Sequence, residues 1–140
     1  MGRSRGGLTT KIHAVVDANG LPITLKLTPG QAHDGKSADD MLATVKAGDT
    51  LIADAGYDSD RLRADLKRRR VKACIKPMPN RKKTYRPRKA TYAKRNLVER
   101  FFNRLKHFRA IANRFEKHAS NNLALVKLAS ARLWMRFMSR

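Results

Sequence analysis

Apolar and β-branched positions alternate through residues 8–17, LTTKIHAVVD, and again through 21–28, LPITLKLT. A period of two predicts strands with one face turned inward. Asp17-Ala18-Asn19-Gly20 lies between them and is made of turn formers, so the two runs predict a hairpin. Pro29-Gly30 ends it. In GQAHDGKSADDMLATVKAG the spacing predicts a helix over about 37–46, capped by Asp34 or Ser37 and closed by Gly48. Residues 50–54, TLIAD, form a short apolar run that ends in an acid, the pattern of a buried strand. Gly56 permits a sharp turn, Ser59 or Asp58 caps a helix over 60–70, and VKACIK (71–76) predicts a further strand.

Residues 77–90, PMPNRKKTYRPRKA, hold three prolines and six Lys/Arg, which predicts a basic loop. A solvated linker and a nucleic-acid contact are both open for it. Residues 91–109, TYAKRNLVERFFNRLKHFR, read as a single helix, and the helical reading carries on to give a helix over 91–118. At ~100° per residue, Tyr92, Arg95, Glu99 and Lys106 fall within about 60° of one another. Val98, Phe101, Leu105 and Phe108 form a second stripe that can face a core. Ala119 to Asn122 break the pattern, and an amphipathic helix follows over 123–137, packing Leu125, Leu128, Ala129, Leu133 and Phe137. The order β-β-α-β-α-β-loop-α-α predicts an α/β fold with a mixed sheet and helices packed on it.

Charge changes this picture. The 140 residues are one domain's worth, and their net charge is +21. Residues 1–65 hold 8 Lys/Arg against 9 Asp/Glu, whereas residues 66–140 hold 24 against 2. The second half carries a field suited to a polyanion, and nucleic acid is the expected partner because neutralising phosphates releases counterions. An anionic membrane or structured RNA would satisfy the same charge. Leu123 to Met138, the most apolar stretch, is interrupted by Lys127, Arg132 and Arg136, so no membrane span is expected. The N-terminal MGRSRGGLTT has no apolar core like that of a signal peptide and reads as a basic, Gly-rich loop. A cytoplasmic, nucleoid-associated protein is expected. Cys74, the one cysteine, lies in an apolar run and reads as a core residue.

Two acids stand out. Asp54 sits at the carboxyl end of a predicted buried strand, where open α/β sheets bind ligands. Glu99 sits among bases, with Glu116 the only other acid after Asp65. Two carboxylates beside phosphate-binding bases suit Mg²⁺ or Mn²⁺, hard ions that take oxygen ligands. On spacing alone a second account is equally open: Asp54 begins a turn, and Glu99 pairs with Arg95 four residues earlier.

The spacing Tyr92-x2-Arg95-x3-Glu99-x6-Lys106 resembles the signature of bacterial insertion-sequence DDE transposases of the IS-four/IS-five type. GRSRGGLTTKIHAVVDANGLPI, GQAHD (30–34), LIADAGYDSD (51–60) and RNLVERFFNRLKHFRAIANRFEK (95–117) look like consecutive family blocks, in order along nearly the whole chain. The resemblance implies an RNase H-like catalytic domain that cleaves and joins transposon-end double-stranded DNA by two-metal phosphodiester chemistry with Mg²⁺ or Mn²⁺. It implies that Asp54 and Glu99 are catalytic metal ligands. Tyr92, Arg95 and Lys106 match positions that hold the DNA backbone and orient the glutamate. His33-Asp34 reads as a cap or loop feature, Gly56-Tyr57 as a turn and a packing ring, Asp17 as the opener of an Asx-type turn, and Trp134 as core.

The chain departs from the family at its start. The first catalytic aspartate of the family lies on the first, central strand of the sheet, upstream of the equivalent of Gly2. The expectation is an N-terminally truncated catalytic domain that lacks this strand. Three origins are open for it: a remnant of a broken element, the second of two overlapping frames, or one part completed by another chain. A homodimer or an upstream-frame partner chain is the expected protein partner, and alone the chain would bind DNA without cleaving it. The alternative is a non-catalytic basic nucleic-acid-binding protein. That reading accounts for the charge but not for the Asp54/Glu99 pair.

Overall fold

The computed structural model describes residues 2–4, 7–29, 38–82, 85–108 and 119–139. In chain order the elements are β1 (Gly2–Ser4), β2 (Gly7–Val16), β3 (Pro22–Pro29), α1 (Ala38–Met41), β4 (Thr50–Ala53), α2 (Asp60–Arg68), β5 (Lys72–Ile75), α3 (Lys89–Tyr92), α4 (Asn96–Leu105) and α5 (Ala119–Met138). Short 3-10 turns occupy Leu42–Thr44, Ala55–Tyr57 and Ala93–Arg95. The chain divides into two compact units, residues 1–32 with 97–140, and residues 33–96.

In the first unit β1, β2 and β3 form an antiparallel sheet in that order. The predicted hairpin is β2–β3, with Ile12 opposite Leu27 and Ala14 opposite Leu25, and a bulge between Val15 and Val16. The Asp17 carboxylate accepts from the amides of Asn19 and Leu21, both at 2.9 Å, which makes the Asx-type turn. Gly20 follows at φ +78°, and a Cβ there would approach the Arg104 guanidinium to 3.3 Å. The left-handed backbone favours glycine at this position. The basic N-terminal stretch expected as a loop contains β1, which pairs Gly2 with Thr9 and Ser4 with Gly7. A segment this short and Gly-rich has little apolar pattern of its own, and pairing with the edge of β2 is what makes it a strand.

Ile12, Ala14, Val16 and Leu25 pack onto a core of Leu21, Phe101, Leu105, Val126, Ala129 and Leu133. Burying a side chain such as Leu105 contributes about 1.5–3 kcal/mol. Trp134 packs against this core, and its indole Nε1 donates to the Pro22 carbonyl at 2.8 Å. The expected break at 119–122 is helical backbone, since α5 already runs from Ala119. Leu128, expected on the packing face, is 69% exposed instead. The buried face keeps Ala129 and Leu133 of the expected set and adds Val126, while Phe137 is exposed.

The second unit is built on β4 and β5, a parallel pair with Leu51 opposite Ala73 and Ala53 opposite Ile75. Ser59 caps α2 by accepting from the Leu62 amide at 3.1 Å, which settles the choice between Ser59 and Asp58. Leu62 and Leu66, one turn apart, bury one face of α2 with Leu42, Val71 and Ile75. The helix ends with Arg70 in the left-handed region, φ 60°, and the Val71 amide bonding back to the Leu66 carbonyl at 2.8 Å. Arg69 reaches across to the carbonyls of Leu42 and Val45 and satisfies the end of the first helical segment. Cys74 is buried, and burial raises its thiol pKa, in line with a core role.

The expected class, α/β with both strand orientations, is observed. Among the described residues the strands pair as one antiparallel and one parallel sheet. The expected helix over 91–118 is divided. Helical backbone starts at Lys89, tightens to 3-10 at Ala93–Arg95, resumes as α4 and ends at Leu105. The closing turn is again tight, with the Phe108 amide bonded to the Leu105 carbonyl at 2.9 Å. A 3-10 turn winds about 120° per residue, so the one regular helical face expected for Tyr92, Arg95, Glu99 and Lys106 is not kept, and only Glu99 of the four lies inside α4. Residues 109–118, Glu116, GQAHD (30–34) and the His33-Asp34 pair lie outside the described residues. No described helix is long and apolar enough to cross a membrane.

Candidate active site

A parallel strand pair leaves its carboxyl ends side by side, and Asp54 follows the last residue of β4 at that end. Its backbone is extended, φ −80° and ψ 179°, and it caps the 3-10 turn Ala55–Tyr57. Oδ1 accepts from the Gly56 amide at 3.0 Å. Oδ2 accepts from the Arg95 guanidinium at 3.3 Å, across 41 residues of chain. The arginine comes from the 3-10 turn Ala93–Arg95, and that turn and α3 pack against β4. The tightening of the helix thus falls where Arg95 meets the strand-end aspartate.

The carboxylate is 42% exposed and the guanidinium 29%. An ion pair this exposed contributes only about 0–1 kcal/mol to stability, so folding alone does not require it. Each carboxylate oxygen has two lone pairs and uses one on a protein donor. Lone pairs remain on a partly exposed carboxylate, and carboxylate oxygens are what a hard divalent cation takes.

The sequence singled out five site residues. Asp54, Tyr92 and Arg95 belong to the unit of residues 33–96, where Asp54 and Arg95 meet directly. Tyr92 closes α3 with its side chain half-buried. Glu99 and Lys106 belong to the other unit. Glu99 is exposed in the first turn of α4, whose opposite side buries Phe101 and Leu105. Lys106 is exposed in the turn after Leu105. No group of three or more His, Cys, Asp or Glu side chains gathers among the described residues.

Asp58, which the sequence offers only as a cap, is buried and paired with two arginines. Its side chain is 0% exposed. It accepts from Arg63 Nε at 2.7 Å, Arg81 Nε at 2.7 Å and the Met78 amide at 2.8 Å. Burial by itself would raise its pKa. The hydrogen bonds from Arg81, Met78 and Arg63 outweigh burial and hold it at about 2. The same contacts push the Arg81 pKa up, with Asp60 adding to the effect. No local pattern announces this cluster, because Arg63 stands five residues along and Arg81 twenty-three. The one sequence signal was a second and a third acid after Asp54, Asp58 and Asp60, in a segment already supplied with a serine cap.

An open cavity of about 680 Å³ lies along α2, lined by Ala43, Arg61, Ala64, Asp65, Arg68 and Arg69. It includes neither Asp54 nor Arg95. Arg68 and Arg69 are already paired with Asp65, which holds the Asp65 carboxyl below its usual range.

A family model described as "Transposase DDE domain" matches residues 2–134. The chain is 42% identical over 130 residues to a putative transposase for insertion sequence element IS6501 from Brucella ovis, covering 92% of this chain and 100% of that protein. It is 36% identical over 86 residues to a transposase for insertion sequence element IS1106 from Neisseria meningitidis serogroup B, covering 61% of this chain and 29% of that protein. No solved structure matches the chain. A match that runs through both units, with Asp54 and Arg95 joined at the carboxyl end of a parallel strand, means that this chain belongs to the transposase DDE domain family.

Proposed function

We propose that the chain works in DNA transposition, cleaving and joining the ends of an insertion sequence, and that its fold is RNase H-like. The observation that carries the reading is the Asp54–Arg95 contact. It unites the acid expected at a strand end with an arginine of the Tyr-Arg-Glu-Lys signature, at an exposed carboxylate.

Asp54 and Glu99 would hold the divalent cation, Mg²⁺ or Mn²⁺. Two such ions clamp the attacking and leaving oxygens of a phosphodiester displacement. The Gly56 amide and Arg95 hold the Asp54 carboxylate in place, one donor on each oxygen. Tyr92, Arg95 and Lys106 hold the DNA backbone, a task that positions the strand without reading its sequence. The double-stranded ends of the element are the partner, and the setting is the nucleoid.

The test is mobilisation in cells of a plasmid-borne element that encodes this chain between its own flanking DNA. Asp54→Asn and Glu99→Gln each should lower the frequency by at least about 100-fold, beyond the loss typical of a residue that only supports a ligand. Mobilisation at the original frequency with either variant, at equal protein level, would overturn the assignment. A second reading, a basic nucleic-acid-binding protein without catalysis, would then take its place.

A further inference from the structure

The segment that follows β5 is proline-rich and basic, and such segments ordinarily stay loose. Here it is held at three points. The Met78 amide and the Arg81 guanidinium both bond to the buried Asp58. Arg81 also bonds to Asp60. Further on, the Tyr85 ring lies under two guanidiniums, 3.9 Å from that of Arg63 and 5.4 Å from that of Arg81. Arg63 in turn donates to the Ile75 carbonyl at the end of β5. One buried carboxylate therefore ties α2, β5 and the basic segment together.

The other cations of this segment have a different setting. Lys82, Arg86, Arg88 and Lys89 are all exposed, as is Lys94 just before Arg95. They flank the anchors in sequence and lead directly into α3 and the 3-10 turn that carries Arg95.

We propose that Asp58, with Arg81 and Tyr85, is a positioning device. It holds the basic segment in a fixed course so that Lys82, Arg86, Arg88, Lys89 and Lys94 form a preorganised surface for the phosphate backbone of double-stranded DNA. The proposal rests on the transposition reading above and deepens it by naming the surface that grips the duplex. Ordering a free backbone costs about 1–2 kcal/mol per residue, so a segment already ordered loses less on binding.

The proposal makes a prediction opposite to that of charge alone. Asp58→Asn adds one net positive charge, and a pure field effect would tighten DNA binding. Preorganisation requires binding to weaken. Arg81→Lys keeps the charge, loses the planar fork to Asp58, and serves as the milder variant should Asp58→Asn fold poorly. Binding of the full chain to a random 30-base-pair duplex is measured across a salt series, below the melting temperature of each variant. Amide exchange at 77–82 and 85–89 is followed without DNA.

Both variants should bind 3–10-fold more weakly at every salt concentration, with the salt slope unchanged and exchange in the segment faster. Arg86→Ala, which removes a contact and not an anchor, should reduce the slope by about 1. Wild-type affinity or tighter binding in Arg81→Lys overturns the inference alone. So does a loss of affinity accompanied by a smaller slope, since Arg81 would then touch phosphate itself. A wild-type chain that binds no duplex overturns the transposition reading and the docking surface together, and amide exchange then reports on the anchor by itself.

Discussion

Asp54 and Asp58 lie on either side of one 3-10 turn and have opposite surroundings. Asp54 is 42% exposed and has one backbone donor and one arginine. Asp58 is sealed from solvent and held by two arginines and an amide. Both oxygens of Asp58 accept from arginine, and its negative charge joins α2 to the basic segment. Asp54 keeps a partly exposed carboxylate, at the place where a parallel pair of strands ends. The contrast shows what separates a structural acid from an available one: the number of donors it satisfies and whether solvent reaches it, and not its position in a motif.

Truncating each acid probes this contrast with the largest expected effect. Asp58→Ala takes the carboxylate from Arg63 and leaves Arg81 with the exposed Asp60 alone, and losing one partner of a buried ion-pair group costs about 3–5 kcal/mol. Asp54→Ala should cost less than about 1 kcal/mol, as exposed pairs do. Denaturant titration of both variants checks the difference, and equal losses would remove the distinction.

Acid separates the two sites more gently. The pKa of Asp58 is lowered to about 2 in the folded chain, against 3.8 for an unperturbed aspartate. A depressed folded-state pKa contributes stability that is complete above about pH 4 and fades as pH falls toward 2. The size is about 2 kcal/mol. Melting temperature followed from pH 6 to pH 2 should fall through that window, and Asp58→Asn should flatten the fall.

The smallest effect is expected at Arg70, which closes the other end of α2 with φ 60°. Left-handed backbone costs a non-glycine residue roughly 1–2 kcal/mol, and glycine avoids it at some cost in chain entropy. Arg70→Gly should therefore raise stability by about 0.5–1 kcal/mol without touching either aspartate. Thermal melting of the variant measures it, and a drop would mean that the Arg70 side chain supports the fold.

Much of this molecule is legible from neighbouring residues alone. Alternation places β2 and β3, the Asp17–Gly20 turn, β4 and β5 near their observed bounds, because periodicity and turn chemistry are local properties. Asp54 and Arg95 are each singled out by a separate local pattern, one a strand end and the other a helical signature. The same local reading carries a single helix through 91–118, where the chain changes to 3-10 at Ala93–Arg95 and turns after Leu105. It also treats MGRSRGG as a loop, although Gly2–Ser4 gains a partner strand.

The interactions that span the chain belong to tertiary packing instead. Arg95 meets Asp54 over 41 residues, Arg81 meets Asp58 over 23, and Trp134 meets Pro22 over 112. Composition and spacing cannot weigh such pairs. Whether an acid is spent on the fold or left for chemistry depends on which donors packing brings to it. Burial decided that for Asp58, and an open strand end decided it for Asp54.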